Sequence, residues 1–121
     1  MKTRFLIITA ILLFSTLSFG QKKLDPQKMA DYQTDLMRTE MNLESEQLEK
    51  VEELNLRYSK QQADLMNKEG SMFSKIGDMK KIKKAKNKEL EKLLSKEQME
   101  FYEDELEPKI RKTMREKMSE K

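Results

Sequence analysis

Two short stretches 51 residues apart decide how this chain folds: LSKEQM at residues 94–99 and LESEQL at residues 43–48. In the first, Ser95 stands at a helix N-cap, where its hydroxyl can accept a hydrogen bond from the first turn. Gln98 follows three residues later, where its side chain can reach back to the Ser95 N–H, so the two form a capping box. In the second, Gln47 is kept but Glu44 takes the cap position, which predicts a weaker cap.

An apolar pair flanks each of these caps. Leu94 precedes one cap and Met99 occupies the fourth helical position after it, which is the arrangement of a hydrophobic staple. Leu43 and Leu48 repeat it upstream. Each stretch therefore predicts a defined turn into a new helix, and the chain is expected to form two related helical hairpins. The residues assigned to this structural motif are Leu43, Gln47, Leu94, Ser95, Gln98 and Met99.

Apolar residues at helical spacing extend outward from the upstream turn. The first helix is predicted from about Pro26 to Met41, with Asp25 as N-cap and proline at the first helical position. The second is predicted from near Glu44 to about Glu69.

The second half of the chain is predicted in the same way. Residues 70–77 hold two Gly and two Ser and are expected to form the break. A third helix should then run from Asp78, as N-cap, to about Leu94, with Ala85 on its apolar stripe. A fourth follows Ser95, and Pro108 should either kink it or begin a new helix.

Composition supports an all-α fold and excludes several functions. The chain has no Cys, His or Trp, only 3 Gly and 2 Pro, and 39% charged residues. Without His and Cys, most nucleophilic triads and the usual zinc, haem and iron–sulfur ligand sets are excluded. The acidic residues lack the spacing of a calcium loop. We therefore expect no enzyme activity, no catalytic residues, no metal and no cofactor.

The N-terminus has the pattern of a secretory signal peptide. Lys2 and Arg4 precede an apolar run at residues 5–14, and small residues lead to Gly20. Because the run is short for a membrane anchor, cleavage after Gly20 is predicted. This leaves one all-helical domain at residues 21–121 with no stable membrane insertion. Without residues 1–20, the basic residues fall from 25 to 23 against 22 acidic ones, and the net charge falls from +3 to +1.

Charge is segregated along the chain. Residues 70–96 carry a net charge of +6 and residues 97–107 a net charge of −6. Such blocks can pair helices within one chain or between chains. The lysine run at residues 80–88 is either a solvated helix face or a binding surface completed by the neighbouring Met72 and Phe73. Few aromatic residues are interleaved with the basic ones, which argues against nucleic acid as a partner.

The two repeated stretches resemble the Leu-Thr-x-x-Gln motif of the Spy/CpxP-like periplasmic proteins. Residues 94–98 match it with Ser for Thr, and residues 43–47 match except at the Thr position. Residues 49–58, EKVEELNLRY, and the Phe-Gly-Gln junction are similar to family members from the Bacteroidetes. The resemblance extends from about Leu36 to Tyr102. It implies bent helical hairpins that form open, cradle-shaped dimers in the periplasm.

The resemblance also implies a function. We expect a periplasmic ATP-independent chaperone or envelope-stress adaptor that binds unfolded envelope proteins and forms a homodimer. Some family members act as metal sensors, but we do not expect that role here, because this chain lacks His and Cys. The alternative is a structural coiled-coil scaffold without client binding. The expected client-binding residues are Met72, Phe73, Ile76, Met79, Lys80, Lys81, Lys83, Lys84 and Phe101.

Overall fold

The computed structural model describes residues 23–119, with side chains described as far as residue 117. The expected signal peptide and its cleavage site lie outside this range. Residues 23–119 contain helices and no strand, which confirms the all-α fold. The helices are α1 (Pro26–Met41), α2 (Ser45–Asn67), α3 (Met72–Leu93), α4 (Lys96–Phe101), the π-helical segment π1 (Tyr102–Leu106) and α5 (Glu107–Ser119).

The first helix has the predicted boundaries. Asp25 Oδ1 accepts a hydrogen bond from the Gln27 N–H at 2.9 Å, which satisfies one free donor of the first turn. Asn42 ends the helix in the left-handed conformation, with φ of 52°. The chain then turns at once into α2, whose N-cap is Glu44.

The N-cap of the third helix lies seven residues before the predicted one. The break lies at residues 68–71, and α3 starts at Met72 with Ser71, not Asp78, as its N-cap. Ser71 Oγ accepts from the Ser74 N–H at 3.3 Å. A glycine costs a helix only about 1 kcal/mol relative to alanine, so a good cap upstream outweighs Gly77. The segment around Phe73 is therefore helical and not a flexible loop.

Pro108 is accommodated inside a continuous helical rod made of α4, π1 and α5. Pro108 has no N–H, and its ring crowds the carbonyl of the residue four positions earlier. The rod widens just before it into π1, where the Glu107 N–H donates to the Tyr102 carbonyl five residues back. The proline therefore neither ends the rod nor occupies the first position of a new helix.

The helices pack into two linked hairpins around a single core. α1 packs on α2, α2 on α3, and α3 leads into the rod of α4, π1 and α5. The last helix returns to the first: the Tyr32 and Thr113 hydroxyls lie 2.9 Å apart, and Lys109 Nζ lies 2.9 Å from Glu40 Oε1. The core consists of Met37, Met41, Val51, Leu54, Tyr58, Leu90, Leu94, Met99, Tyr102, Leu106 and Ile110.

Candidate functional site

The repeated motif lies at the end of the molecule where α2 and α4 begin. At α4, the Ser95 N–H donates to Gln98 Oε1 at 2.9 Å, and the Gln98 N–H donates to Ser95 Oγ at 3.1 Å. This is the predicted capping box. At α2, the Glu44 N–H donates to Gln47 Oε1 at 3.1 Å. Leu94 and Met99 are both buried in the core, with Leu43 packed against it.

The motif glutamines also bond to each other. Gln47 Nε2 donates to Gln98 Oε1 at 2.9 Å, and Gln98 Nε2 approaches Gln47 Oε1 at 3.5 Å. Gln47 Nε2 donates as well to the Leu93 carbonyl at the end of α3, at 2.9 Å. These bonds link the starts of two helices to the end of a third. The motif therefore holds one end of the molecule together and is structural.

The other end contains a groove between the N-terminal half of α3 and α5. Its volume is ≈ 410 Å³, within the range of small-molecule and peptide sites. Methionine and isoleucine side chains supply its apolar walls. They are Met66, Met72, Ile76, Met79, Ile110 and Met114.

The structure brings five of the nine expected client-binding residues together along this groove: Met72, Ile76, Met79, Lys80 and Lys83. Phe73 is on the first turn of α3 beside them, with 88% of its surface exposed. Lys84 belongs to a shallow lysine-lined surface next to the groove.

The remaining expected residues do not line the groove. Lys81 is exposed on α3. Phe101 is 36% exposed and ends α4, the short helix that starts at the opposite end of the molecule.

A buried lysine in the groove was missed at the sequence level. Lys86 is only 4% exposed, its ammonium donates to Gln33 Oε1, and it lies 5.7 Å from the centre of the Tyr102 ring. Within residues 23–117 it forms no ion pair. Burial lowers the pKa of Lys86 to about 8, against a smaller opposing effect of the Glu107 charge.

The sequence does contain a signal for this lysine. Ile82, Lys86 and Leu90 follow each other at four-residue spacing, so Lys86 lies on the core stripe of α3. The prediction that Ala85 occupies this stripe was wrong, because Ala85 is exposed. Because lysine is not apolar, apolar periodicity alone does not reveal a lysine at a core position.

One carboxylate faces the same region of the groove. The Glu107 side chain is mostly buried and lies 3.4 Å from Lys83 Nζ, and Asn87 Nδ2 donates to it at 3.4 Å. Burial, helped by this carboxylate, raises the pKa of the adjacent Tyr102 hydroxyl. The described cationic side chains that line the groove outnumber the Glu107 carboxylate. They are Lys75, Lys80, Lys83, Lys86, Arg111 and Arg115.

The described part of the chain offers no cluster of three or more acidic side chains placed to hold a metal ion. Within residues 23–119, no helix combines the length and apolarity needed to cross a bilayer.

Comparison with known proteins identifies a family. The model of the domain of unknown function DUF4890 matches residues 18–102, which is most of the chain. The chain belongs to this family. No curated protein and no solved structure matches it. The DUF4890 match includes both copies of the repeated motif and the whole of α3 with its groove wall, whereas α5 lies beyond it.

Proposed function

We propose that this DUF4890 protein is a Spy/CpxP-like ATP-independent chaperone or envelope-stress adaptor that captures unfolded proteins at the groove. The observation that supports this is the group of large apolar side chains exposed on the first turns of α3. Met72 is 53%, Phe73 88% and Ile76 45% exposed. A clustered apolar surface of this kind is typical of an interaction site.

The physical chemistry of the surface suits loose binding of many sequences. Methionine side chains are flexible and polarisable, so Met72 and Met79 can repack around different apolar segments. The exposed Lys80, Lys81 and Lys84 beside them increase the rate of encounter with acidic segments, an effect that salt weakens. Because α3 holds these residues on a rigid helix, binding requires little ordering of the chaperone itself.

Suppression of aggregation tests the proposal. The protein without residues 1–20 should suppress aggregation of a chemically unfolded client without ATP. Replacing Met72, Phe73 and Ile76 together with Ser should weaken suppression while helicity stays unchanged, because all three side chains are exposed. Phe101→Ser tests separately whether the exposed aromatic side chain outside the groove also takes part in capture, as the sequence predicts.

The role of the lysines has a charge-matched control. Replacing Lys80, Lys81 and Lys84 with Gln should slow capture at low salt. Making the same change at three exposed lysines elsewhere, Lys50, Lys60 and Lys96, should alter it much less. Equal effects of the two sets would show that only net charge matters. Absence of suppression by the wild type at every salt concentration would favour the alternative of a coiled-coil scaffold without client binding.

Export and self-association are part of the same proposal. Mass spectrometry of the protein recovered from the periplasm should show a mature chain beginning at Gln21. Sedimentation should show a homodimer that salt weakens, since the exposed lysines of α3 and the exposed carboxylates of α4 and π1 are complementary. The carboxylates are Glu97, Glu100, Glu103, Asp104 and Glu105.

A further inference from the structure

The ammonium group of Lys86 is buried at the groove without an ion pair to any residue of the range 23–117. A buried charge is stable in a protein when it is paired and hydrogen-bonded. Within residues 23–117, Lys86 has an amide oxygen, Gln33 Oε1, and the face of the Tyr102 ring, but no carboxylate in an ion pair. An anion entering the groove would supply the missing negative charge.

A second buried polar group lies in the lining of the same groove. Gln62 also lines the groove, and its Oε1 atom is buried without a hydrogen-bond partner. Buried side-chain oxygens are seldom left without a partner. Rotation of the amide by half a turn would present its two N–H donors in place of the oxygen. The lining of the groove then offers hydrogen-bond donors from both Lys86 and Gln62 to an anionic ligand.

The walls around these polar groups are apolar. Met66, Met79, Ile110 and Met114 line the same ≈ 410 Å³ groove. The groove thus combines a cationic, hydrogen-bonding position with a long apolar surface, and this is complementary to a molecule with one anionic head and one hydrocarbon chain. We propose that the groove binds a single-chain fatty carboxylate, with its head on Lys86 and its chain along the methionine walls.

The charges in the groove favour this occupant over other amphiphiles. Among the described residues, Glu107 is the one lining carboxylate, and it is paired with Lys83 at 3.4 Å. Its charge acts on Lys86 without forming an ion pair with it, so the Lys86 ammonium is available to a ligand. A cationic amphiphile of the same length would meet an excess of positive charge. An uncharged amphiphile would leave the Lys86 ammonium without an ion pair. This inference goes beyond client capture, because the ligand is a small molecule and not an unfolded chain.

Titration calorimetry with sodium dodecanoate below its micelle concentration tests the inference on the chain from Gln21 to Lys121. We expect saturable binding of one dodecanoate per chain. Lys86→Met keeps the length of the side chain but removes the charge, and it should weaken binding tenfold or more. Lys60→Met makes the same change at an exposed lysine of α2 that does not line the groove and should leave affinity within twofold. Dodecyltrimethylammonium should show no saturable binding.

A second variant covers the case in which Lys86→Met does not fold, as judged by circular dichroism. Ile76→Glu places a carboxylate on an exposed part of the groove wall and should also weaken dodecanoate binding tenfold or more. Absence of saturable binding to the wild type, or equal affinities for wild type, Lys86→Met and Ile76→Glu, would overturn the inference. Equal binding of dodecyltrimethylammonium would do so too. Aggregation suppression measured without dodecanoate reports separately on client capture, so the two proposals can fail independently.

Discussion

The side-chain amides of Gln47 and Gln98 bond to each other across 51 residues of sequence, with Gln47 Nε2 2.9 Å from Gln98 Oε1. Each of the two oxygens also accepts a backbone N–H at the start of its own helix, from Glu44 and from Ser95. Each glutamine is therefore a helix cap and an inter-hairpin bridge at once. This dual role explains why the motif occurs twice: each copy provides the partner of the other.

The glutamine pair should be energetically coupled. Gln47→Ala or Gln98→Ala should each lower the free energy of unfolding by about 1–3 kcal/mol, because each leaves a half-buried amide without its partner. The double variant should cost less than the sum of the two, with a coupling energy of about 0.5–3 kcal/mol. Urea denaturation of the four proteins measures this cycle. Gln61→Ala, at an exposed glutamine of α2, is the control and should change stability by less than about 0.5 kcal/mol.

Substitutions at the two N-caps, Glu44 and Ser95, should change the free energy of unfolding in opposite directions. Glu44→Ser gives the upstream copy the cap residue of the downstream copy and should raise the free energy of unfolding by about 0.5–1 kcal/mol. Ser95→Ala removes the hydroxyl that accepts from the Gln98 N–H at 3.1 Å and should lower it by about 1 kcal/mol. Thermal and urea denaturation give both values. A loss of stability in Glu44→Ser would show that the glutamate is the better cap at this turn.

The motifs predicted the fold well because capping is local chemistry. The first helix has the predicted boundaries, and the hairpins turn where the caps and staples indicate. The predicted start of α3 was wrong because the helix continues through Gly77 from the cap that Ser71 provides. The π segment before Pro108 was missed because a proline in a sequence does not reveal whether the preceding turn widens or breaks; packing of Tyr102 and Leu106 in the core decides it.

The candidate site was harder to predict than the fold. Five of the expected residues line the groove because they share one face of α3, which helical spacing predicts. The opposite wall comes from α5, and no pattern within residues 70–90 reveals that α5 lies there. Lys86 belongs to the lysine run at residues 80–88, which was predicted to be either a solvated face or a binding surface. Only its contacts with Gln33 of α1 and Tyr102 of π1 show that it is buried.

Burial of Lys86 should make stability depend on pH. Its pKa falls from the usual 10.5 to about 8 in the folded protein, so between those values the unfolded chain binds more protons than the folded one. The free energy of unfolding should therefore rise with pH, by about 2 kcal/mol between pH 7.5 and 9.5. Urea denaturation at half-unit pH steps measures the slope.

The control for this pH dependence is Lys86→Met, which should abolish most of the rise in the free energy of unfolding. The pH range of the measurement stops below pH 10, because the raised pKa values of Tyr58 and Tyr102 make the free energy of unfolding fall with pH. Above pH 10 the unfolded tyrosines lose protons that the folded ones keep, so stability falls. Parallel slopes for wild type and Lys86→Met would contradict the burial of a charged Lys86.

The two glycines that flank the start of α3 should give substitution effects of opposite sign. Gly77 lies within the helix and an added Cβ would meet nothing within 4 Å, so Gly77→Ala should raise the free energy of unfolding by about 0.5–1 kcal/mol. Gly70 has φ of +122°, which residues with a side chain rarely adopt, so Gly70→Ala should lower the free energy of unfolding. A flexible segment at residues 70–77 would make both changes nearly neutral. Urea denaturation of the two variants therefore separates a rigid helical binding surface at Met72 and Phe73 from a loop.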